Sequence, residues 1–286
     1  MTIFLIAAAV LACTVICGMI IWDSNRFVKV SYRISCPLLK KKIRLALLSD
    51  LHNKEYGADN QKLLDAIREA APDMVLIAGD LLTSCKDDMA RPAVRLLESV
   101  SAEYPVCYAN GNHEYRVFHQ PDKYGSTGAR YRHAIRSLNL HHLEDGSVYF
   151  PEYNIRVYGL DLPVHFFKKF KEPPLDPREL KKRLGKADKS AYTILLAHNP
   201  VWFDSYVKWG ADLTLSGHVH GGVVRLPFLG GVLSTSFRLF PRYDGGSFKK
   251  DNKEMIISRG LGAHTIPLRL FNPAELVIID LIPEEE

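Results

Sequence analysis

Short apolar runs and amphipathic stretches alternate along most of this chain, after an opening segment that shows no such alternation. From Ile3 to Trp22 nearly every side chain is apolar, and the first charged residue is Asp23. Further on, Ile43–Ser49, Met74–Ala78, Val106–Ala109, Ile155–Gly159, Thr193–Ala197, Leu213–Ser216, Met255–Ser258 and Leu276–Leu281 are brief and aliphatic. Turn-forming or polar residues bound each of them, the pattern of buried strands. Between several of these runs the period changes. Asn60–Ala71 places Leu63, Leu64 and Ile67 on one helical face, and Arg91–Val100 does the same with Val94, Leu96 and Leu97. Gly128–Leu138 and Glu179–Leu184 are weaker helical patterns. Strands alternating with helices predict an α/β body whose sheets are covered by helices.

The opening segment has 20 residues from Ile3 to Trp22, the length that spans a hydrocarbon core of about 30 Å as a helix. A secretory signal would carry a basic start and a small-residue cleavage site. No Lys or Arg precedes Ile3, Ala7-Ala8-Ala9 falls too early, and the apolar run continues past Ala12-Cys13. A core helix is the alternative, but core helices are seldom so uniformly apolar. An uncleaved transmembrane anchor is therefore expected over residues 1–22. Arg26, Lys29, Arg33, Lys40, Lys41 and Lys42 all follow the span, which predicts the following residues on the cytoplasmic side. Residues 23–42 read as a basic juxtamembrane linker, and residues 43–286 as one catalytic domain.

Composition narrows the function classes. With 47% hydrophobic and 24% charged residues the chain can bury an ordinary core. A net charge of +5 suits anionic substrates or lipid headgroups and is too small to argue for nucleic acid. The five cysteines, Cys13, Cys17, Cys36, Cys85 and Cys107, include no CxxC pair. They predict neither a disulfide framework nor a thiolate zinc site, and they suit a reducing compartment.

The chemistry lies where the predicted strands end. Asp50 and His52 follow the first run, Asp80 the second, Asn112 and His113 the third. His198 follows Thr193–Ala197, and His218 and His220 follow Leu213–Ser216. Singly, each has an ordinary explanation. Asp50 would cap a helix, Gly79-Asp80 and Gly111–Glu114 would be turns, and His198 a hydrogen-bonded core histidine. His218 and His220, alternate residues of an extended segment, would point the same way. Together they supply two carboxylates, four imidazoles and one amide oxygen at one sheet edge, where α/β proteins place their sites. This donor set suits Mn, Fe or Zn rather than Ca2+. Two ions about 3.5–4 Å apart would need a bridging carboxylate.

The blocks DLH (50–52), GD (79–80), GNHE (111–114), AHNP (197–200) and GHVH (217–220), in this order, resemble the calcineurin-like metallophosphoesterase superfamily. The resemblance runs from Ile43 to about Leu281. It implies a four-layer αββα sandwich of two mixed β-sheets flanked by helices, here with an N-terminal transmembrane helix. It implies that Asp50, His52 and His220 hold one metal, that Asn112, His198 and His218 hold the other, and that Asp80 bridges them. The cofactors expected are two divalent ions, Mn2+ foremost, with Fe or Zn as alternatives. A water between two cations loses its proton near neutral pH and becomes the nucleophile. His113 is then expected to act catalytically at the leaving oxygen; its structural alternative is to orient the GNHE turn. The remaining histidines, 119, 133, 141, 142, 165 and 264, read as surface or core residues, with His264 following a glycine-rich turn.

The segment Gly79–Cys85 lacks the GDxxDRG pattern of Ser/Thr protein phosphatases. The anchor, Gly221-Gly222, Ser258–Gly262 and Pro267-Leu268-Arg269 are more similar to bacterial membrane-tethered phosphodiesterases. Val219 and Val223 depart from the Thr and Gln common there, at positions expected to shape the pocket. Relatives of that branch cleave the pyrophosphate of UDP-diacylglucosamine. Phe166–Lys171 with Lys181, Lys182, Arg183, Lys186 and Lys189, and Phe237–Arg242, mix aromatics with cations, as segments at a membrane surface do, or as a solvated insertion would. The expectation is a membrane-anchored phosphodiesterase acting on a phosphodiester or pyrophosphate, lipid-linked in character, with no protein partner. The alternatives are a nucleotide or nucleic-acid phosphodiesterase, and a catalytically silent membrane-tethered binding protein.

Overall fold

The computed structural model describes the whole chain except residues 87–89, 169–171, 223, 227, 234–238, 264–267 and 285–286. The described residues form the strands β1 Phe27–Cys36, β2 Ile43–Leu48, β3 Met74–Ala78, β4 Val106–Ala109, β5 His141–Leu143, β6 Gly146–Phe150, β7 Ile155–Leu160, β8 Tyr192–Ala197, β9 Leu213–Ser216, β10 Arg225–Leu226, β11 Gly230–Gly231, β12 Gly246–Lys250, β13 Lys253–Ile257 and β14 Ala274–Pro283. The helices are α1 Thr2–Ser24, α2 Gln61–Ala70, α3 Arg91–Glu103, α4 Asn112–His119, α5 Pro121–Tyr124, α6 Thr127–Arg136, α7 Pro177–Leu184 and α8 Phe203–Trp209.

Two six-stranded sheets, β1-β14-β2-β3-β4-β5 and β12-β13-β9-β8-β7-β6, stack face to face. Both mix parallel and antiparallel pairs: β2, β3, β4 and β5 run parallel, as do β7, β8 and β9, while β14 against β2 and β12 against β13 are antiparallel. Leu45, Leu47 and Leu76 of the first sheet meet Ile194, Leu196 and Leu213 of the second in a buried inner layer. The outer face of the first sheet buries Ala46, Leu48 and Ile77 against Leu63 and Ile67 of α2, Leu96 and Leu97 of α3 and Tyr131 of α6. The second sheet buries Tyr158 and Leu195 against Leu180 of α7 and Tyr206 of α8. Strands covered on both faces have no polar face to show. That is why their sequences are continuous aliphatic runs, and the expected four-layer arrangement is the one found.

The linker expected over residues 23–42 is instead largely β1, paired in parallel with β14 along ten residues. From Val28 to Cys36 apolar and polar residues strictly alternate, and Lys29, Ser31, Arg33 and Ser35 face outward from an edge strand. The basic collar is thus partly the solvent face of a strand, a pattern of period two rather than a flexible tether. The Gly111–Glu114 turn is also corrected: Asn112 opens α4, with Gly111 as its N-cap.

Helix α1 leaves the body. Asp23 is its only buried residue, which removes the core-helix alternative for this segment. Its last turn is seated on a loop before β14: Asn272 N donates to Asp23 Oδ2 at 3.2 Å and Arg269 N to Ser24 Oγ at 3.2 Å.

Candidate metal centre

The carboxyl ends of β2, β3, β4, β8 and β9 lie side by side, and the loops that leave them carry all of the predicted ligands. Asp50, His52 and His220 place donor atoms within 4.8 Å of one another, and so do Asp80, His198 and His218. Asp80 joins the two groups. Its Oδ2 stands 3.0 Å from His198 Nε2, 3.9 Å from His52 Nε2 and 4.0 Å from His113 Nε2. Asp50 Oδ1 lies 3.3 Å from His220 Nε2 and 3.7 Å from His198 Nε2. Asn112 sets an amide atom 3.0 Å from His218 Nδ1. His218 and His220 are not extended residues, as expected from their alternation, but have φ of 72° and 52°. That turn sends the two rings to different groups rather than to one.

Five of the seven predicted ligands, Asp50, His52, Asp80, His218 and His220, have positive φ. Such backbone costs a non-glycine residue on the order of 1 kcal/mol or more and persists only where the surroundings impose it. The surroundings are specific. Ser49 Oγ donates to Asp50 Oδ2 at 2.6 Å, and His218 N donates to both Asp50 oxygens at 3.0–3.1 Å. Glu114, fully buried, accepts from Asp80 N and Leu81 N at 2.8 Å and from Gly111 N at 2.9 Å, clamping the β3 loop to the start of α4. Burial and the charge of Asp80 push its pKa up to about 7, against the pull of those N–H donors. Gly217 and Gly111 are required at these crossings. A Cβ on Gly217 would collide with Asp50 and Ser49, and one on Gly111 with Asp80.

Hydrogen bonds also choose the imidazole tautomers. His198 Nδ1 lies 2.6 Å from the carbonyl of Ala78 and His220 Nδ1 3.3 Å from that of Gly262. Each Nδ1–H therefore donates outward and turns Nε2 toward the centre, where loss of its proton frees a lone pair for a metal, as in metal-binding histidines. His113 is oriented the other way. Its Nδ1 accepts from Ser84 N at 2.8 Å, so the neutral ring carries its proton on Nε2, toward Asp80. Burial, then the charge of His198, holds His218 well below the usual imidazole range, and burial lowers His220. At His198 burial also pulls downward, but Asp80 and Asp50 outweigh it and raise the pKa to about 10.

The arrangement fits divalent transition-metal ions. His198 Nε2 is buried 3.0 Å from Asp80 Oδ2, and the Nε2 atoms of His52 and His220 lie 3.1 Å apart. The Asn112 amide lies 3.0 Å from His218 Nδ1. Carboxylates, imidazoles and an amide converging within a few ångströms form a donor set suited to a shared cation.

One contributor, Asn272, has no cue in the sequence. Asn272 Nδ2 donates to the carbonyls of His220 and Gly222, both at 2.7 Å. The buried Arg269 guanidinium donates to the carbonyls of Arg259, Gly260, Gly262 and Asn272, folding that loop behind Asp50 and His220. This gives Ser258–Gly262 and Arg269 a structural role. Phe167 is turned inward, its ring 5.3 Å from His218 and 6.2 Å from His198, while Phe166 packs on Trp202 at 5.5 Å. Those two rings therefore wall the site and fill the core rather than face a membrane; residues 169–171 lie outside the described residues, as do Phe237 and Arg238. Val219 packs with Phe203, Tyr243, Met255 and Ile257 and does not shape the pocket, and Val223 and His264 lie outside the described residues. His142 is half-buried, 2.7 Å from Asn110, with a pKa that desolvation lowers to about 4. Only the chemistry of the quoted blocks offered a cue to Glu114, an acid at the third position of a helix.

Two stacked mixed sheets thus present carboxylates, imidazoles and an amide around a shared Asp. The chain belongs to the calcineurin-like phosphoesterase family, whose model matches residues 43–222. An uncharacterized metallophosphoesterase of Helicobacter pylori is 30% identical over 87% of this chain and 62% of its own length. A zebrafish transmembrane protein with a metallophosphoesterase domain is 27% identical over 84% of this chain and 53% of its own. The chain thus spans less than two thirds of the length of these relatives. Among solved structures, a 5'-nucleotidase precursor of Thermus thermophilus covers 84% of this chain, and the match 54% of that one, at 13% identity and a TM-score of 0.46. Among the described residues, α1 is the one helix long and apolar enough to cross a membrane.

Proposed function

We propose that this chain is a membrane-anchored, two-metal phosphodiesterase, with α1 as the anchor, the body on the cytoplasmic side, and an amphipathic, lipid-linked phosphodiester or pyrophosphate as substrate. The observation that carries the reading is the position of Asp80, whose Oδ2 lies within 4 Å of His198 on one side and His52 on the other. Asp50, His52 and His220 would hold one ion, Asn112, His198 and His218 the second, and Asp80 both. Mn2+ is the first choice, with Fe or Zn as alternatives. Two such ions lower the pKa of a water they share and neutralise charge growing on the phosphoryl oxygens. The protein's own part is to hold neutral imidazoles and fixed carboxylates in place, and to present the Nε2–H of His113 to the leaving oxygen. Phe167 walls the centre and excludes water from one side.

The test is metal analysis of the purified full chain, with rates on bis-p-nitrophenyl phosphate and on the monoester in added Mn2+, then on nucleotide and lipid phosphodiesters. Two ions per chain and preference for the diester are expected. Asp80→Asn should lose more than about 100-fold, the upper range of changes beyond the ligands themselves. A chain that binds no transition metal, or an Asp80→Asn variant as active as wild type, would sink the proposal.

A further inference from the structure

The loop that carries His220 continues into an apolar hairpin, and that hairpin lies beside the end of α1. After Gly222 the chain enters β10 and β11, joined antiparallel, with Phe228 and Leu229 between them. Phe228 is fully exposed, and Leu229, Leu239 and Phe240 are 65%, 70% and 59% exposed. Leu239 bridges to Leu233 and Phe240 N donates to the carbonyl of Val232, so the returning segment lies along the hairpin. Val224 bridges to Leu270, and Arg225 N donates to the Leu270 carbonyl at 3.2 Å. The next residues, Phe271 and Asn272, are the seat of α1: Phe271 is 43% exposed, and Asn272 N holds Asp23.

The geometry points to a second bilayer contact: β10 and β11, with Phe228, Leu229, Phe240 and Phe271, enter the lipid interface next to α1 and hold the metal centre at the membrane surface. This rests on α1 being the anchor. Trp22, 67% exposed and two residues before the helix end, marks the interfacial level. Two residues of helix rise only about 3 Å, so the loop that receives Asp23 and Ser24 lies at that level. Soluble surfaces rarely gather large apolar side chains this exposed in one place. Here the patch is continuous with a helix that already needs lipid around it, and aromatic rings at a hairpin tip suit the interface. Asn272 joins the two: its backbone binds the anchor end and its side chain binds the His220 carbonyl. A substrate whose acyl portion stays in the bilayer would therefore reach the centre without leaving the membrane.

The experiment uses the full chain in phosphatidylcholine–phosphatidylglycerol vesicles, half of them with acyl chains brominated near the headgroup. In wild type the lipid-quenched share of the emission reports the anchor through Trp22, because Trp202 and Trp209 are buried in the body. Phe228→Trp and, separately, Phe240→Trp report the hairpin. In each variant the added emission is expected at a blue-shifted wavelength, quenched by the brominated lipid and protected from aqueous iodide. Quenching of Trp22 with an added tryptophan that only iodide quenches would overturn the hairpin contact while leaving the anchor intact. No lipid quenching in wild type would remove the anchor and the hairpin contact with it. Neither result depends on the phosphodiesterase reading, which hydrolysis of bis-p-nitrophenyl phosphate by the same samples tests separately.

Discussion

Asn272→Ala isolates one support of the metal centre. The side chain touches no predicted ligand atom, yet its Nδ2 donates at 2.7 Å to two buried carbonyls, those of His220 and Gly222. Its backbone N–H, which holds Asp23, is untouched by the substitution. Each buried carbonyl left without a donor costs about 1–3 kcal/mol. Against this, Asn272 Oδ1 is itself buried without a partner, so truncation relieves about 1 kcal/mol or more of that burden. The balance is a loss of about 2–3 kcal/mol, which for a domain of this size lowers Tm by roughly 5–10 °C. The larger consequence is local. With the carbonyl of His220 released, the positive φ of that residue (52°) loses a support, and its ring is no longer fixed for binding. Outer supports of this kind are worth about 10–100-fold in metal affinity. Thermal unfolding of the metal-free chain and competition with a chromophoric chelator read the two effects. Asn272→Asp, of the same shape but with carboxylate oxygens against the carbonyls, should lose at least as much. If Asn272→Ala unfolds within ~0.5 kcal/mol of wild type and binds both ions equally well, the argument that this bond positions His220 is wrong.

Two further outcomes follow from the same site. In chelator-treated protein His198 holds a proton up to about pH 10, because Asp80 and Asp50 outweigh burial, and a metal must displace that proton. Affinity at its sub-site should rise about tenfold per pH unit from ~7 to ~10 by chelator competition, and a flat profile would refute the pairing; the same raised pKa stabilises the metal-free fold fully below about 6.5 and is lost as pH rises through 10. Glu114→Ala leaves the N–H groups of Asp80, Leu81 and Gly111 without their acceptor; a loss above about 3 kcal/mol is expected in denaturant unfolding, and a loss below about 1 kcal/mol would mean water takes over the clamp.

What the sequence discloses depends on how a segment is buried. Strands β3, β4 and β9 are covered on both faces, and their aliphatic runs give their limits residue for residue. Edge strands carry no such run. β1 alternates, and its basic outward face reads as a linker; β6 and β12, at the two edges of the second sheet, alternate exposed and half-buried residues and carry no aliphatic run. Helix α8 is only seven residues long, too few turns for a 3.6-residue period to stand out. Local pattern reports local burial, and an edge has too little of it.

The site obeys a different rule. Its ligands are legible because their chemistry is confined to few residue types and strand ends must bring them to one edge. Their supports are not, because a support is defined by what it reaches. Asn272 follows His220 by 52 residues and Glu114 follows Asp80 by 34, and neither spacing has a period. Both act on backbone: one on the carbonyl of a ligand, the other on the N–H groups of a ligand and its neighbours. That is where five positive-φ residues concentrate their cost. A chain that places two carboxylates and four imidazoles within a few ångströms must resist their tendency to turn away, and the side chains that resist it are those holding the main chain. Substitutions that preserve every predicted ligand can therefore still remove the centre, provided they release one of these main-chain bonds.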